Sequence, residues 1–231
     1  MDILEQTKPN KNKWISFLAD GVLSGLMLGV GGMVSLSSEN RFLGAFLFSL
    51  GLFCIVQFKY GLFTGKVGYI VNRDLPYVAE TAVTLVGNAL GTLIAALLLR
   101  QVRFFTSTVS TMDVTISDRV QATVDGKIHD NPLSIFILAI FCGILMFTAV
   151  EGSRKCKEEK NFAGSLFVVV MPVMAFIICG FNHCIADMFY YFFAGCPEPS
   201  KAIVYFILAI AGNSVGGMIV PLLKKLSNQP L

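Results

Sequence analysis

The sequence predicts an all-α integral membrane domain of six transmembrane helices, arranged as two inverted halves of three, with the second and fifth helices broken. Three observations predict it. The 231 residues are 55% hydrophobic and only 14% charged, with a mean hydropathy of +0.69, outside the range of soluble globular chains. Apolar runs of membrane-crossing length recur along the whole sequence, which is not the pattern of a cleavable leader followed by a soluble body. A Gly-Asn-x-x-Gly motif stands at matching places in the two halves, at Gly87-Asn88 to Gly91 and at Gly212-Asn213 to Gly216.

The elements follow in order. A hydrocarbon core about 30 Å thick takes roughly 20 apolar residues in a helix. After a short cytoplasmic segment, residues 1–13, the run from Trp14 to Leu36 supplies the first crossing. Arg41 to Val71 is too long for one crossing and carries Gln57, Lys59, Gly61, Thr64, Gly65 and Lys66 near its middle. It reads as helix, unwound turn and shorter helix, because irregular backbone at membrane depth is tolerated only when buried in protein or lining a cavity. Tyr77 to Leu99 is the third crossing, and residues 101–131 form an external loop. Pro132 to Val150 is the fourth, Phe162 to Gly195 the second interrupted segment, and Ala202 to Leu223 the sixth, before a cytoplasmic tail at 225–231. Residues 1–231 thus form one transmembrane domain, with repeats at 14–100 and 132–224. Three crossings being odd, the second repeat enters from the opposite face, and such a repeat builds its site between two discontinuous helices near the midplane.

Lysine and arginine set the orientation. With the N-terminus inside, the inner side holds Lys8, Lys11, Lys13, Arg73, Arg154, Lys155, Lys157, Lys160, Lys224 and Lys225; the outer side holds only Arg41, Arg100, Arg103, Arg119, Lys127 and Lys201. Both termini are therefore expected in the cytoplasm. Trp14, Tyr190 and Tyr191 fall near the predicted boundaries and suit interfacial aromatics. The six cysteines form no C-x-x-C pair, so neither a disulfide framework nor a metal site is expected. A net charge of +3 without a basic block gives no reason to expect nucleic acid.

The chemistry concentrates at the two breaks. At the first, Gly61 and Gly65 permit unusual backbone angles, and Thr64 offers a hydroxyl. At the second, Asn182, His183 and Asp187 stand together among apolar neighbours, where a polar side chain must be satisfied or face water. Half-helices beginning at the breaks point free N–H groups into the gap, which favours an anion. His183 is the only histidine in a predicted crossing, since His129 lies in the loop. It reads either as a buried neutral ring pinning the turn to Thr64 or a carbonyl, or as a proton or hydrogen-bond donor, and the two readings are compatible. Leu62, Phe63 and Phe176 crowd the breaks, and Phe48 and Leu52 lie one turn apart on the helix leading into the first. Each is a candidate for an apolar constriction that stops hydrated ions.

With these motifs in place, the chain resembles the formate/nitrite transporter family from about Trp14 to Leu223. The resemblance rests on Leu62-Phe63-Thr64-Gly65, on Gly87-Asn88-x-x-Gly91, on Met171-Pro172-Val173-x-x-Phe176 leading into Gly180-Phe181-x-His183, on Ala186-x-Met188-Phe189, and on Gly212-Asn213-x-x-Gly216-Gly217. It implies an aquaporin-like protomer in a homopentamer, each protomer with its own pore. It also implies two slits formed by Phe48, Leu52, Leu62, Phe63 and Phe176, with Thr64 hydrogen-bonded to a central His183. Four positions depart from the family pattern: Gly61 and Asn182 replace acidic residues, Ser165 replaces a lysine, and Asp187 replaces an asparagine. Lys59 and Lys66 stand near the first break as replacement positive charge.

The function expected is a plasma-membrane channel for small monovalent weak-acid anions of the formate, nitrite or hydrosulfide type, with no cofactor and no enzymatic activity. A bare anion in an apolar slit faces a desolvation cost on the order of tens of kcal/mol. Protonating an acid of pKa about 4 at pH 7 costs roughly 4 kcal/mol. Crossing as the neutral acid, with His183 donating or relaying the proton, is the lower route; the competing version keeps the anion charged. A neutral-solute channel of the aquaporin or ammonia type is the alternative, weakened by the absence of Asn-Pro-Ala repeats and a pore arginine. With one histidine and no carboxylate pair in the crossings, a membrane enzyme or cofactor carrier ranks lower still.

Overall fold

The computed structural model describes residues 12–109 and 113–228. Nearly all of them are helical. The order is α1 (Lys13–Ser37), α2 (Arg41–Phe58), α3 (Phe63–Lys66) continuing into a 3₁₀ turn (Val67–Asn72), α4 (Leu75–Leu99), a short 3₁₀ turn (Arg103–Thr106), α5 (Ile116–Ile128), α6 (Pro132–Glu158), α7 (Phe162–Cys179), α8 (Cys184–Ala194) and α9 (Pro199–Leu226). Among the described residues, six of these (α1, α2, α4, α6, α7 and α9) are long and apolar enough to cross a membrane. Most of the N-terminal segment and the end of the tail, both expected in the cytoplasm, lie outside the described residues.

Helix ends follow local sequence. Asn12, Asn40, Asn131 and Asn161 each accept a first-turn N–H at the starts of α1, α2, α6 and α7, the standard N-cap role of asparagine. Helices α1 and α4 pack through glycine: Gly91 lies on the Val22 carbonyl and the Gly25 Cα, leaving no room for a side chain. Gly216 of α9 lies in the same way on the Ile140 carbonyl of α6. The Gly-Asn-x-x-Gly motifs therefore bring backbones together, as small residues do where helices associate in membranes.

Several expectations change on contact with the structure. The loop expected to be external contains a helix, α5, opened by a capping box between Thr115 and Asp118. Its face of Ile116, Val120, Val124 and Ile128 is buried, a four-residue spacing that a helix places on one side. Helix α6 runs to Glu158, two turns past the expected Val150. Tyr190 and Tyr191 are each 8% exposed, packed within α8 rather than placed as interfacial aromatics. The left-handed backbone at the breaks falls on Lys59 (φ 59°) and Gly180 (φ 70°), not on Gly61 or Gly65. Gly61 is small for space, since a Cβ there would stand 3.1 Å from the Thr84 methyl, and Gly65 abuts Val150.

Candidate functional site

Two asparagines hold the two interruptions, and they do so in the same way. Asn88 accepts the Phe63 N–H (2.9 Å) and donates to the carbonyls of Gly21 (2.9 Å) and Gly61 (2.8 Å). Asn213 accepts the Cys184 N–H (2.9 Å) and donates to the carbonyls of Ala139 (2.8 Å) and Asn182 (2.8 Å). Each side chain is 0% exposed, so each supplies buried backbone groups that water does not reach. The correspondence sets Leu62 against His183 as the residue just before each half-helix.

His183 is the N-cap of α8. Its Nδ1 lies 3.1 Å from the Ala186 N–H; a backbone N–H only donates, so Nδ1 carries no hydrogen and the ring's hydrogen sits on Nε2. Nε2 lies 3.1 Å from Thr64 Oγ1. The Nε2–H therefore donates to Thr64, which leaves the threonine hydroxyl hydrogen to serve another acceptor. The pair closes the distance between the two breaks, with Thr64 fully buried and His183 1% exposed.

Aromatic rings stand beside it. Phe176 lies 5.6 Å from the His183 ring, and Phe48 meets Phe176 edge-on at 5.6 Å. Phe48, Leu52, Leu62, Phe63 and Phe176 are all buried. Two cavities flank this zone, and neither His183 nor Thr64 lines them. The first, on the side expected to be cytoplasmic, is about 390 Å³ and is lined by Leu62, Gly65 and Val150 and by Lys59, Lys66, Arg154 and Lys157. The Lys66 ammonium leans over the Phe17 ring at 4.6 Å and near that of Tyr77 at 5.5 Å. Arg154 is held by Glu151, which also takes the Tyr69 hydroxyl at 2.6 Å. The second, on the side expected to be external, is about 430 Å³, is bounded by Phe176 and carries Arg41, Arg119 and Lys127 alongside Glu39 and Asp187.

Lys127 is the residue the sequence hides. It is one more charge of the external loop until α5 lays it inward, where its Nζ lies 2.8 Å from Asn182 Oδ1 and 3.1 Å from Asp187 Oδ1. Asp187 also takes the Tyr205 hydroxyl at 2.6 Å, and its N–H donates to the His183 carbonyl at 2.9 Å. Asn182 donates to the Ile135 carbonyl at 3.2 Å. Helix α5 is fixed by Arg119 on the carbonyls of Leu36 and Ser38, and by Gln121 on that of Ala194. The usable signal was the capping box Thr115-x-x-Asp118, which marks a helix start inside the loop.

The expectation of free N–H groups at the half-helix starts changes at three of them: those of Phe63, Cys184 and Ala186 do not face an open gap, because Asn88, Asn213 and His183 accept from them. Formal positive charge stands in the cavities, on lysine and arginine. Ser165 binds Ser153 (2.7 Å) rather than presenting charge.

Fold and site together define a multi-pass membrane protein with a buried polar pair beside aromatic rings and a basic cavity on either side. The chain belongs to the formate/nitrite transporter family, whose model matches residues 4–225. It is 26% identical to the formate channel FocA of Haemophilus influenzae, over 79% of this chain and 67% of that one. It is 27% identical to the uncharacterized transporter YrhG of Bacillus subtilis, over 88% and 81%. Among solved structures, a pentameric formate channel with formate bound superposes with a TM-score of 0.75 at 22% identity, covering 95% of this chain and 99% of that one. A second, described as an FNT family ion channel, gives 0.76 at 16% identity, covering 94% and 90%. These two likenesses are of fold.

Proposed function

We propose that this chain is a channel for small monovalent weak acids of the formate, nitrite or hydrosulfide type, each crossing as the neutral acid with its proton. The observation that carries the proposal is the His183–Thr64 pair sealed by rings between two lysine-bearing cavities. The family, with formate channels among its relatives, supports the substrate class. The anion gathers at Lys127 on the outer side or at Lys59 and Lys66 on the inner side, takes a proton from water there, and enters the apolar zone uncharged. Phe48, Leu52, Leu62, Phe63 and Phe176 make the two slits.

The geometry favours His183 as a hydrogen-bond donor over His183 as proton source. Its one N–H is on Nε2, and giving it up while Nδ1 stays capped by Ala186 would leave an imidazolate. Donating through Thr64 instead offers the acid one polar station halfway, replacing part of its lost hydration. We further propose a homopentamer in the plasma membrane with both termini cytoplasmic and one domain over residues 1–231; the pentameric solved relative and the lysine distribution support this.

Uptake by proteoliposomes of formate, nitrite, hydrosulfide, acetate and lactate, against glycerol as a neutral solute, tests the reading. Weak acids should enter and glycerol should not; selective glycerol entry would favour the neutral-solute alternative. Thr64→Val, nearly the same size, leaves Nε2–H without an acceptor, at about 1–3 kcal/mol for a buried donor. Uptake should fall roughly tenfold, since about 1.4 kcal/mol is a factor of ten, and Thr64→Ser should restore most of it.

A further inference from the structure

Helix α5 ends at His129, two residues beyond Lys127, and acceptors hold its ring at both nitrogens. Nδ1 lies 3.0 Å from the Asp125 carbonyl oxygen, and Nε2 lies 2.9 Å from Glu198 Oε1. A carbonyl and a carboxylate only accept, so both contacts are hydrogen bonds only when both ring nitrogens carry hydrogen. A neutral ring sets a nitrogen lone pair against an oxygen at one of the two. Glu198 is the N-cap of α9, in the left-handed region at φ 40°, and its other oxygen takes the Lys201 ammonium at 2.7 Å. Lys201, and after it His129, holds the Glu198 carboxyl below the usual carboxylate range.

The other charged and titratable groups around this end of α5 are engaged elsewhere. On its own segment, the Asp130 carboxylate takes the Asn131 N–H and the Ser134 hydroxyl, and Asp125 meets the ring through its carbonyl. Helices α8 and α9 bring Asp187, Tyr190, Tyr191 and Tyr205 to the small cavity beside Lys127. Arg103, in the turn packed on α5, lies over the Phe104 ring at 5.6 Å.

We propose that His129 and Glu198 form a proton-dependent latch that positions Lys127. The doubly protonated ring ties the end of α5 to the start of α9 and holds Lys127 against Asn182 and Asp187; loss of one proton loosens that end of α5. Mild acidity outside then seats the lysine that collects the anion. This rests on the function proposed above, so the test has one arm that does not depend on transport.

Formate uptake by proteoliposomes is measured from about pH 5.5 to about pH 8, the span over which histidines change charge, for the wild type, His129→Ala, Glu198→Ala, Lys127→Met and His129→Ala in the Lys127→Met background. Amide hydrogen exchange of residues 120–130 is followed in parallel. Each latch variant should reduce uptake about threefold at the acid end, a scale set by the modest strength of exposed ion pairs, and should match the wild type at the alkaline end. Exchange should be faster in the variants at the acid end only, and His129→Ala should change nothing once Lys127 is gone. A variant-to-wild-type ratio that is flat across pH, unchanged exchange, or a further loss in the Lys127→Met background would overturn the latch. Formate uptake by no protein at any pH would overturn the proposed function instead, and the exchange measurement would still judge the latch.

Discussion

Replacing Asn213 with alanine should cost about 2–6 kcal/mol of stability, since three buried backbone groups lose this partner at once; the Ala139 carbonyl keeps its helical bond in α6, and each of the other two costs about 1–3 kcal/mol. Those groups are the Cys184 N–H and the carbonyls of Ala139 and Asn182. Uptake should be lost with stability, because the freed residues flank His183 on both sides. Asn88→Ala removes the matching contacts to Phe63, Gly21 and Gly61 and should be similarly damaging. Thermal unfolding in lipid or detergent measures both. A loss under about 1 kcal/mol, the worth of one ordinary hydrogen bond, in either variant would show that the asparagines do not hold the breaks.

The second large effect lies at Lys127. Lys127→Met leaves the Asp187 carboxylate, 5% exposed, with the Tyr205 hydroxyl and no cation, and breaking a buried ion pair from one side typically costs about 3–5 kcal/mol. Because Lys127 retains 18% exposure, about 3 kcal/mol is expected. Anion uptake should fall at least about tenfold, the equivalent of about 1.4 kcal/mol, as the cavity bounded by Phe176 loses its lysine. Adding Asp187→Asn removes the unpaired charge, so the double variant should regain stability to within about 1 kcal/mol while uptake stays low. Stability and flux recovering together would mean that Lys127 acts only on folding.

The fold was largely legible because its determinants are long-wavelength. Hydropathy marks six crossings, and polar residues within two long apolar segments mark the interruptions. The matched Gly-Asn-x-x-Gly motifs reflect a real constraint: the glycines let α1 meet α4 and α6 meet α9, and the asparagines staple the turns. Thr64 and His183, 119 residues apart, were linked only because the two breaks were expected to face each other. What stayed hidden depends on pairings that no local pattern encodes. Lys127 looks like a solvated loop charge until α5 is known to fold inward. The N–H groups of Phe63, Cys184 and Ala186 look available until Asn88, Asn213 and His183 are seen accepting from them. The left-handed turn at Lys59 defeats the rule that glycine takes such positions, because Gly61 was needed instead to clear Thr84.

The acid should cross the apolar zone beside His183 without net charge. The most direct test clamps the membrane potential across proteoliposomes and measures formate and proton entry together. One proton per formate, at a rate unaffected by the potential, is the predicted result; formate entering alone, as a current that follows the potential, would contradict it.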